Sequence, residues 1–223
     1  MTKQPLSILT LAFVAFTSLH TEPTANPPES AANRFIHQAD FDTLVAHFED
    51  PSRAEWQKPD AVIASLGPLD GKTVADIGTG TGYFAFPIAK KAAKVIAIDI
   101  DQRFLDYIRH KKQTQKIGAN IDTRLTAPDS PGLKIGEADV VLIVDTLHHI
   151  ENRIEYLKKL RNDLRKGGVL VIVDFKKEKT PPGPPVGLRL SQEQVEAELK
   201  AAGFAVLSGD RGFLPYQYII KAE

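Results

Sequence analysis

The sequence predicts an α/β protein: a three-layer sandwich with helices on both faces of a mostly parallel sheet. Short apolar runs alternate with amphipathic segments along the 223 residues, as expected of successive strand–helix units. Residues 140–144 form a continuously apolar run, which is typical of a strand buried on both faces of a parallel sheet. Residues 74–77 form a second run that is apolar except for Asp76, and a glycine turn leads from it into a helical segment.

The remaining elements are placed by periodicity, caps and turn residues. We expect strands at residues 74–77, 95–99, 121–125, 140–144, 169–173, 204–207 and 216–221. Helices are expected at residues 83–91, 101–116, 153–164 and 191–202, with Ile154 facing inward in the third and Lys166-Gly167-Gly168 as its stop. Residues 32–66 should also be helical and lie across the mouth of a ligand site.

The glycine turn itself predicts a nucleotide-type site. Three glycines alternate in Gly78-Thr79-Gly80-Thr81-Gly82, between a strand and a helix that begins near Tyr83. Glycine lets the backbone turn sharply and lets a ligand approach closely. The N–H groups at the start of the next helix then point toward that ligand.

Asp76 separates two interpretations of this turn. A dinucleotide-binding loop has the spacing G-x-G-x-x-G and places a pyrophosphate here, which a neighbouring carboxylate would repel. The spacing in this chain is G-x-G-x-G, and Asp76 precedes the first glycine by two positions. A carboxylate suits a ligand that brings an ammonium group to the loop, such as the methionine end of S-adenosylmethionine (SAM).

These residues resemble motif I of the class I SAM-dependent methyltransferases. The segment Val95-Ile96-Ala97-Ile98-Asp99 resembles the second strand of that family, which ends in an acidic residue that binds the ribose hydroxyls. Residues 138–150 resemble the fourth strand, and residues 164–170 the turn into the fifth. The resemblance implies a Rossmann-like fold whose seven-stranded sheet is mostly parallel and has an antiparallel last strand.

The resemblance also implies a SAM site. Its cofactor-binding residues would be Asp76, Gly78, Thr79, Gly80, Gly82, Tyr83, Asp99, Ile100, Asp129, Asp145 and Thr146. Asp129 is the candidate for contact with the adenine, although Pro128 and Pro131 make its loop unlike the family pattern.

Two histidines follow the fourth strand and are the candidate catalytic residues. Ligands in open parallel sheets lie beyond the carboxyl ends of the strands, and His148 and His149 lie there. Either could accept a proton from a hydroxyl or amine acceptor. Methyl transfer depends mainly on the alignment of the acceptor with the methyl group, so a reaction without a base is the alternative. In that case one histidine would lie beside the adenosyl group and the other would have a structural role. Because consecutive loop residues point apart, we expect only one to face the pocket.

The substrate side is expected to include Trp56 and the basic, proline-rich connection 176–189. Trp56 either packs against the sheet or covers the SAM sulfonium. Arg189, Tyr216 and Gln217 are further candidates for this side, whereas Tyr218 is expected in the core. The histidines lack carboxylates at a metal-binding spacing, so no metal site is predicted.

The N-terminal 30 residues resemble an export signal or membrane anchor followed by a linker, and residues 31–223 form the single catalytic domain. Lys3 precedes an uncharged run at residues 6–19, and a proline-rich polar stretch follows. This order predicts a periplasmic or membrane-tethered protein, with residues 6–19 as a possible tether. A cytoplasmic enzyme with an N-terminal tail is the alternative.

Composition narrows the choice of function. With 28 basic and 28 acidic residues the formal net charge is zero, so no nucleic-acid partner is expected and a small-molecule acceptor is favoured. The chain has no cysteine, which excludes disulfides and a thiol nucleophile. One alternative is a non-catalytic SAM-binding envelope protein. The other is an NAD(P)-dependent oxidoreductase, which Asp76 and the glycine spacing disfavour. The oligomeric state is left open.

Overall fold

The computed structural model describes residues 33, 36 and 38–223. Its helices are α1 (Phe41–Phe48), α2 (Arg53–Gln57), α3 (Pro59–Ser65), α4 (Ala85–Ala89), α5 (Gln102–Gln115), α6 (Arg153–Asp163) and α7 (Gln192–Ala201). Its strands are β1 (Thr73–Ile77), β2 (Lys94–Asp99), β3 (Ile121–Leu125), β4 (Ala138–Val144), β5 (Leu164–Phe175), β6 (Val206–Asp210) and β7 (Gln217–Ala222). Two short 3₁₀ turns lie at Leu147–His149 and Val186–Leu188.

The sheet confirms the predicted α/β class and its Rossmann-like order. Seven strands lie in the order β3-β2-β1-β4-β5-β7-β6. The first five run parallel, and β7 lies antiparallel between β5 and β6. Strand order reverses between β1 and β4, which places a crevice at their carboxyl ends where open α/β sheets bind ligands.

Apolar residues cover both faces of this sheet. In β4, Val141 and Ile143 belong to one core cluster, whereas Val140 and Leu142 belong to the other. This explains the continuous apolar run, since alternate side chains of a strand point to opposite faces. The two clusters fix the central strands and therefore the positions of the residues that follow them.

Helices α5 and α7 begin where their caps predict. Asp101 accepts a hydrogen bond from the Arg103 N–H at 2.9 Å, and Ser191 accepts one from the Gln194 N–H at 3.2 Å. Phe104, Leu105 and Ile108 of α5 are buried as expected.

Helix α6 and strand β5 differ from the prediction. The helix ends at Asp163 and the strand already begins at Leu164, so Gly167 and Gly168 lie within the strand rather than forming the helix stop. A shift in the β4–β5 register accommodates this early start. Ile154 does not face inward as predicted, since it is 38% exposed. Tyr156 is buried on the inner side of the helix instead.

The region before the sheet is helical, as expected, but is divided into α1, α2 and α3. Asp40 caps α1 through the Thr43 N–H at 2.9 Å, and Lys58 has a left-handed conformation between α2 and α3. The proposed export signal and tether at residues 6–19 lie outside the described residues. Within residues 38–223, none of the helices is long and apolar enough to span a bilayer.

Candidate active site

The glycine loop connects β1 to α4 through backbone angles that favour glycine. Gly78, Gly80 and Gly82 all have positive φ, at 71°, 51° and 79°. A Cβ on Gly78 would lie 2.1 Å from the Thr146 hydroxyl oxygen. Only a glycine therefore fits where the loop passes the end of β4.

Asp76 lies at the end of β1, beneath the loop. Its side chain is 3% exposed and accepts a hydrogen bond from the Thr79 hydroxyl at 2.8 Å. Burial raises the pKa of Asp76 to about 6, against the opposing effect of this hydrogen bond. A cation entering the cavity would favour its ionised form.

Asp99 ends the neighbouring strand β2 and anchors the loop from the other side. Its carboxylate accepts hydrogen bonds from the Gly80 N–H and the Asp101 N–H, each at 2.9 Å. Burial raises the pKa of Asp99 to about 6, although both backbone donors oppose the shift. The parallel pairing of β1 with β2 places Asp76 and Asp99 on either side of one loop.

A cavity of about 820 Å³ opens above these strand ends. Its walls come from the strand ends, from the helices that precede β1 and from the proline-rich loop after β5. The apolar and aromatic lining includes Leu44, Phe48, Trp56, Tyr83, Phe84, Phe104, Tyr156 and Phe175. Such a largely apolar cleft with a few convergent polar groups is typical of a small-molecule site.

Asp145 begins the turn after β4 and is held by side chains from distant segments. It has a positive φ of 51° and accepts hydrogen bonds from the amides of Gln57 at 2.8 Å and Gln217 at 2.5 Å. The Arg53 guanidinium lies 3.9 Å from it. Burial, and next the charge of Asp174, raise the pKa of Asp145 to about 6.

Arg53 is a cation of this cavity, and its side chain is only 15% exposed. Its guanidinium carbon lies 4.2 Å from the centre of the Tyr83 ring, and it donates to the Phe48 carbonyl at 3.0 Å and to the Gln57 side chain. Burial lowers the pKa of Arg53, while the charges of Asp145 and Asp76 oppose this change. Helix α2 therefore brings a positive charge to a site that is otherwise rich in carboxylates.

His148 and His149 both line the cavity, so the expectation that only one would face it was wrong. Their rings lie 4.4 Å apart at 37°. His148 Nδ1 lies 2.9 Å from the Asp174 carboxylate, and His149 Nδ1 lies 3.0 Å from the Asn33 amide oxygen.

The two rings have opposite pKa shifts. Burial alone would lower the pKa of His148, but the charge of Asp174 and its hydrogen bond to the ring raise it overall. Burial, and next the charge on His148, lower the pKa of His149 to about 3. His149 is therefore neutral at physiological pH, and His148 is the ring whose environment favours accepting a proton.

The structure brings most of the sequence-predicted residues to one cavity. Asp76, Gly78, Thr79, Gly80, Tyr83, Asp99, Ile100, Asp145, Thr146, His148 and His149 all line it. Gly82 and Asp129 are not among the lining residues. Gly82 instead allows close packing, since a Cβ there would lie 2.9 Å from the Phe86 ring.

Asp129 is exposed, and its backbone carbonyl accepts a hydrogen bond from Lys159. Its neighbours Thr126, Ala127, Pro128 and Ser130 line the cavity instead. Pro128 and Pro131 constrain this loop, so its course differs from the one that the family pattern implied.

Of the residues expected on the substrate side, some line the cavity and others do not. Trp56 lines the cavity and packs 5.7 Å from Phe175 and 6.3 Å from Tyr216, ring centre to ring centre. Arg189, Tyr216 and Gln217 are not among the lining residues. Arg189 is buried beneath the proline-rich loop and Gln217 beneath Asp145. Tyr218 is in the core, as predicted.

Sequence reasoning missed Arg53, Gln57 and Asp174 as parts of this site. Asp174 is the penultimate residue of β5, and its position near the carboxyl end of a central parallel strand was a usable signal. Arg53 and Gln57 gave no such signal, because only the folded chain brings α2 against β4 and β7. In the part of the chain that the structure describes, no cluster of three metal-ligating side chains is found.

Comparison with known proteins supports the interpretation of the loop. Residues 75–170 match a family described as a methyltransferase domain. A SAM-dependent methyltransferase from Aquifex aeolicus has a similar structure, with a TM-score of 0.76 and 26% identity over 83% of this chain and 98% of that one. The chain therefore contains a methyltransferase domain that is similar to the class I SAM-dependent methyltransferases.

Curated relatives of this methyltransferase differ in what their names say they act on. A ubiquinone biosynthesis O-methyltransferase from Roseobacter denitrificans is 34% identical over 113 residues, 50% of this chain and 44% of the relative. A demethylmenaquinone methyltransferase from Tropheryma whipplei is 33% identical over 144 residues, 64% of this chain and 56% of the relative. A tRNA U34 carboxymethyltransferase from Shewanella amazonensis is 34% identical over 132 residues, 56% of this chain and 38% of the relative. The chain thus spans about half or less of the length of these relatives.

The residues present in this methyltransferase fit SAM. The methionine end of SAM carries an ammonium and a carboxylate, and the cavity offers the buried Asp76 carboxylate and the Arg53 guanidinium. Thr81 also lines the cavity, and its hydroxyl is buried without a hydrogen-bond partner among the described residues.

Proposed function

We propose that this methyltransferase transfers a methyl group from SAM to a small-molecule acceptor. The observation on which the proposal depends is the arrangement of Asp76, Asp99 and Arg53 around one glycine loop in one cavity. We call Asp76, residues 78–82 and Asp99 the cofactor half of the site. Its acceptor half consists of Trp56, Phe175, the loop 176–189, the His148–Asp174 pair and the cluster of Gln57, Asp145 and Gln217.

Arg53 and the two carboxylates of the cofactor half each have a counterpart in SAM. Asp76 would accept the methionine ammonium, Arg53 would bind the methionine carboxylate, and Asp99 would accept hydrogen bonds from the ribose hydroxyls. SAM supplies a methyl group already activated by the sulfonium. The task of these residues is to orient it and to exclude water, which accounts for most of the catalysis in such an alignment-limited transfer.

A small acceptor is favoured by the charge and shape of the chain. Its formal net charge is zero, whereas binding to a nucleic-acid backbone depends on Lys and Arg contacts with phosphates. The acceptor half is enclosed by Trp56, Phe175 and prolines. Quinone-related names among the relatives agree with this choice, and the tRNA-related names are the competing class.

The test is calorimetric titration with S-adenosylhomocysteine (SAH) and, separately, with NADH. We expect SAH to bind and NADH not to bind. Asp76→Asn should weaken SAH binding roughly 30-fold or more, since removing one partner of a buried charge pair costs about 2–5 kcal/mol. Asp122→Asn is the matched control, because Asp122 is a strand carboxylate paired only at the surface with Lys94. Tight NADH binding without SAH binding would refute the proposal.

Catalysis is separated from binding alone by a turnover measurement. SAM is incubated with the protein and a metabolite extract, and SAH release is followed. Release that depends on the extract supports a transferase. SAH binding without any release would favour the non-catalytic SAM-binding protein.

Export remains a separate proposal, supported by the order of charge, apolar run and polar linker in residues 3–30. We propose that the protein is exported or membrane-tethered. Intact-mass measurement of protein from its native host tests this. A soluble cytosolic form that retains Met1 would contradict it.

A further inference from the structure

We propose that the acceptor is a flat, uncharged aromatic compound that is held against Trp56, Phe175 and the proline-rich loop and is methylated on a hydroxyl oxygen. This inference rests on the proposed function and names the acceptor class of the same site. Four features of the acceptor half lead to it: an aromatic wall, a rigid loop, internally paired charges and a histidine held by a carboxylate.

The aromatic wall consists of Trp56 and Phe175. The rings lie 5.7 Å apart at 39°, and both line the cavity. Tyr216 supports Trp56 from behind at 6.3 Å. Aromatic faces interact best with other flat rings in offset or edge arrangements, so this wall favours an aromatic acceptor over a saturated one.

The loop 176–189 adjoins this wall, and Arg189 holds the loop in one shape. Arg189 is 3% exposed and donates to the carbonyls of Pro184 at 2.7 Å and Glu178 at 2.8 Å. It also donates to the Thr180 hydroxyl at 2.7 Å. These bonds order the loop before any ligand binds, and such preorganisation removes an entropic cost of binding.

Gly183 lets the loop pack directly on the Phe175 ring of the aromatic wall. A Cβ at Gly183 would lie 2.6 Å from the Phe175 ring, so the loop lies directly against that ring. The Arg189 guanidinium lies 5.1 Å from the centre of the same ring. Phe175 is thereby fixed, and Pro181, Pro182, Pro184 and Pro185 line the cavity beside it. Fixed apolar side chains of this kind suit a flat, apolar molecule.

The buried charges of the acceptor half already have partners. Asp145 is bound by Gln57 and Gln217 and lies near Arg53. Asp174 is bound by His148 and by the Phe175 N–H at 2.8 Å. A charged acceptor would bring an uncompensated charge into this enclosed space, which is costly. The acceptor should therefore be neutral.

The reacting atom is assigned from His148. Asp174 occupies its Nδ1, so Nε2 is left to meet a ligand. As the acceptor oxygen forms its bond to the methyl carbon, the carbon–sulfur bond of SAM breaks and its electron pair stays on sulfur, giving neutral SAH. The hydroxyl proton passes to His148 Nε2, and Asp174 stabilises the resulting imidazolium. A neutral amine needs no such base before it attacks, so this pair favours a hydroxyl acceptor.

Binding is tested with 2-naphthol and its saturated counterpart decahydro-2-naphthol on the SAH-bound protein. We expect calorimetry to show 2-naphthol binding at least about 10-fold more tightly. Trp56 is the only tryptophan of the chain, so its emission should change saturably with 2-naphthol. Equal affinities, or 2-naphthol binding without a change in that emission, would overturn the aromatic assignment. Absence of SAH binding would instead refute the proposed function.

Two ring deletions locate the contact. Phe175→Leu should weaken 2-naphthol binding about 10-fold while leaving SAH affinity unchanged. Tyr107→Leu is the matched control, because it removes a half-buried ring from α5 and should change neither affinity. If Phe175→Leu is poorly folded, Trp56→Phe, which keeps a ring, should retain 2-naphthol binding measured by calorimetry. Loss of 2-naphthol binding in Trp56→Phe with SAH binding intact would contradict the stacking model.

The hydroxyl assignment is tested by comparing 2-naphthol with 2-naphthylamine as methyl acceptors, with product mass as the readout. We expect transfer to the hydroxyl compound and a loss of at least 100-fold in kcat for His148→Asn. Asp174 is a positioning residue, so Asp174→Asn should move the pH profile of kcat to lower pH, because Asp174 raises the His148 pKa. Transfer to the amine alone, or to neither compound while 2-naphthol binds, would overturn the assignment.

Discussion

The cofactor half and the acceptor half of the site are built in different ways. The cofactor half comes from one continuous unit of chain, β1, the glycine loop and β2, whose polar ends lie within 24 positions of one another, from Asp76 to Asp99. The acceptor half joins side chains that lie far apart in sequence: Gln57 contacts Asp145 across 88 positions and Gln217 across 160.

This difference explains why the sequence reveals the cofactor half more readily than the acceptor half. In the cofactor half, backbone conformation places the functional groups, so glycine spacing alone reveals the site. In the acceptor half, packing between distant elements places them. Substitutions that alter the backbone should therefore damage the cofactor half most. Substitutions that remove a single side-chain partner should damage the acceptor half most.

The largest effect is expected from Gly78→Ala in the cofactor half. Both Gly78 and Gly136 have positive φ, at 71° and 64°, but a Cβ meets Thr146 at 2.1 Å only at Gly78. Strain plus overpacking should lower the free energy of unfolding by roughly 2–5 kcal/mol. Gly136→Ala should cost only about 1–2 kcal/mol. Urea unfolding measures both, and equal losses would show that the loop tolerates a side chain next to Thr146.

Arg53→Gln should separate the two ends of the cofactor. Arg53 is a cation near Asp76 and Asp145, so removing its charge should weaken SAH binding roughly 30-fold. 5′-Methylthioadenosine lacks the amino-acid end and should bind to the variant and the parent protein equally. Arg165→Gln is the control, since Arg165 pairs with Asp139 on the surface. A similar loss for both ligands would assign Arg53 to the fold rather than to the carboxylate.

The third effect is the pH dependence of the cofactor half. Burial raises the pKa values of Asp76 and Asp99 to about 6, so both carboxyls are largely protonated below that pH. SAH binding requires them ionised, and its affinity should fall about tenfold per pH unit below 6 for each group. Calorimetry from pH 5 to 8 measures this fall, and Asp99→Asn should reduce its slope. An affinity independent of pH would show that neither carboxyl must ionise.

The ligand-free protein should respond to pH in the opposite direction. A carboxyl whose folded-state pKa is raised binds its proton more tightly in the folded state. Its contribution to stability is fully present below pH 3.8 and is lost as pH rises through 6. The loss should be roughly 3 kcal/mol for each carboxyl. Saturating SAH should reduce this loss, because the bound ammonium favours ionised Asp76.

How far the sequence predicts the structure follows the same division. The sequence predicted the strands along the chain, the caps of α5 and α7, and the places of Asp76 and Asp99 beside the glycine loop. These features were predictable because hydrophobic periodicity, capping residues and glycine spacing act over a few residues. The contact of Gln57 with Asp145 and the hydrogen bond between His148 and Asp174 were not predictable, since each joins separate elements of the fold. Arg189 was assigned to the substrate wall from its position, but its hydrogen bonds point into the loop that it holds.

The smallest effect is expected from Tyr218→Phe, beside the polar cluster of the acceptor half. Tyr218 is 1% exposed, and its hydroxyl has no hydrogen-bond partner among the described residues. Removing an unsatisfied buried hydroxyl should leave the free energy of unfolding unchanged or raise it by about 1 kcal/mol, with the rate of methyl transfer unaffected. Gln217→Leu, one position earlier on β7, should instead destabilise the protein by about 1–3 kcal/mol, because Asp145 loses an amide donor. A clear loss of rate in Tyr218→Phe would mean that this hydroxyl belongs to the His148–Asp174 pair, so that the acceptor half would extend one strand further than its hydrogen bonds indicate.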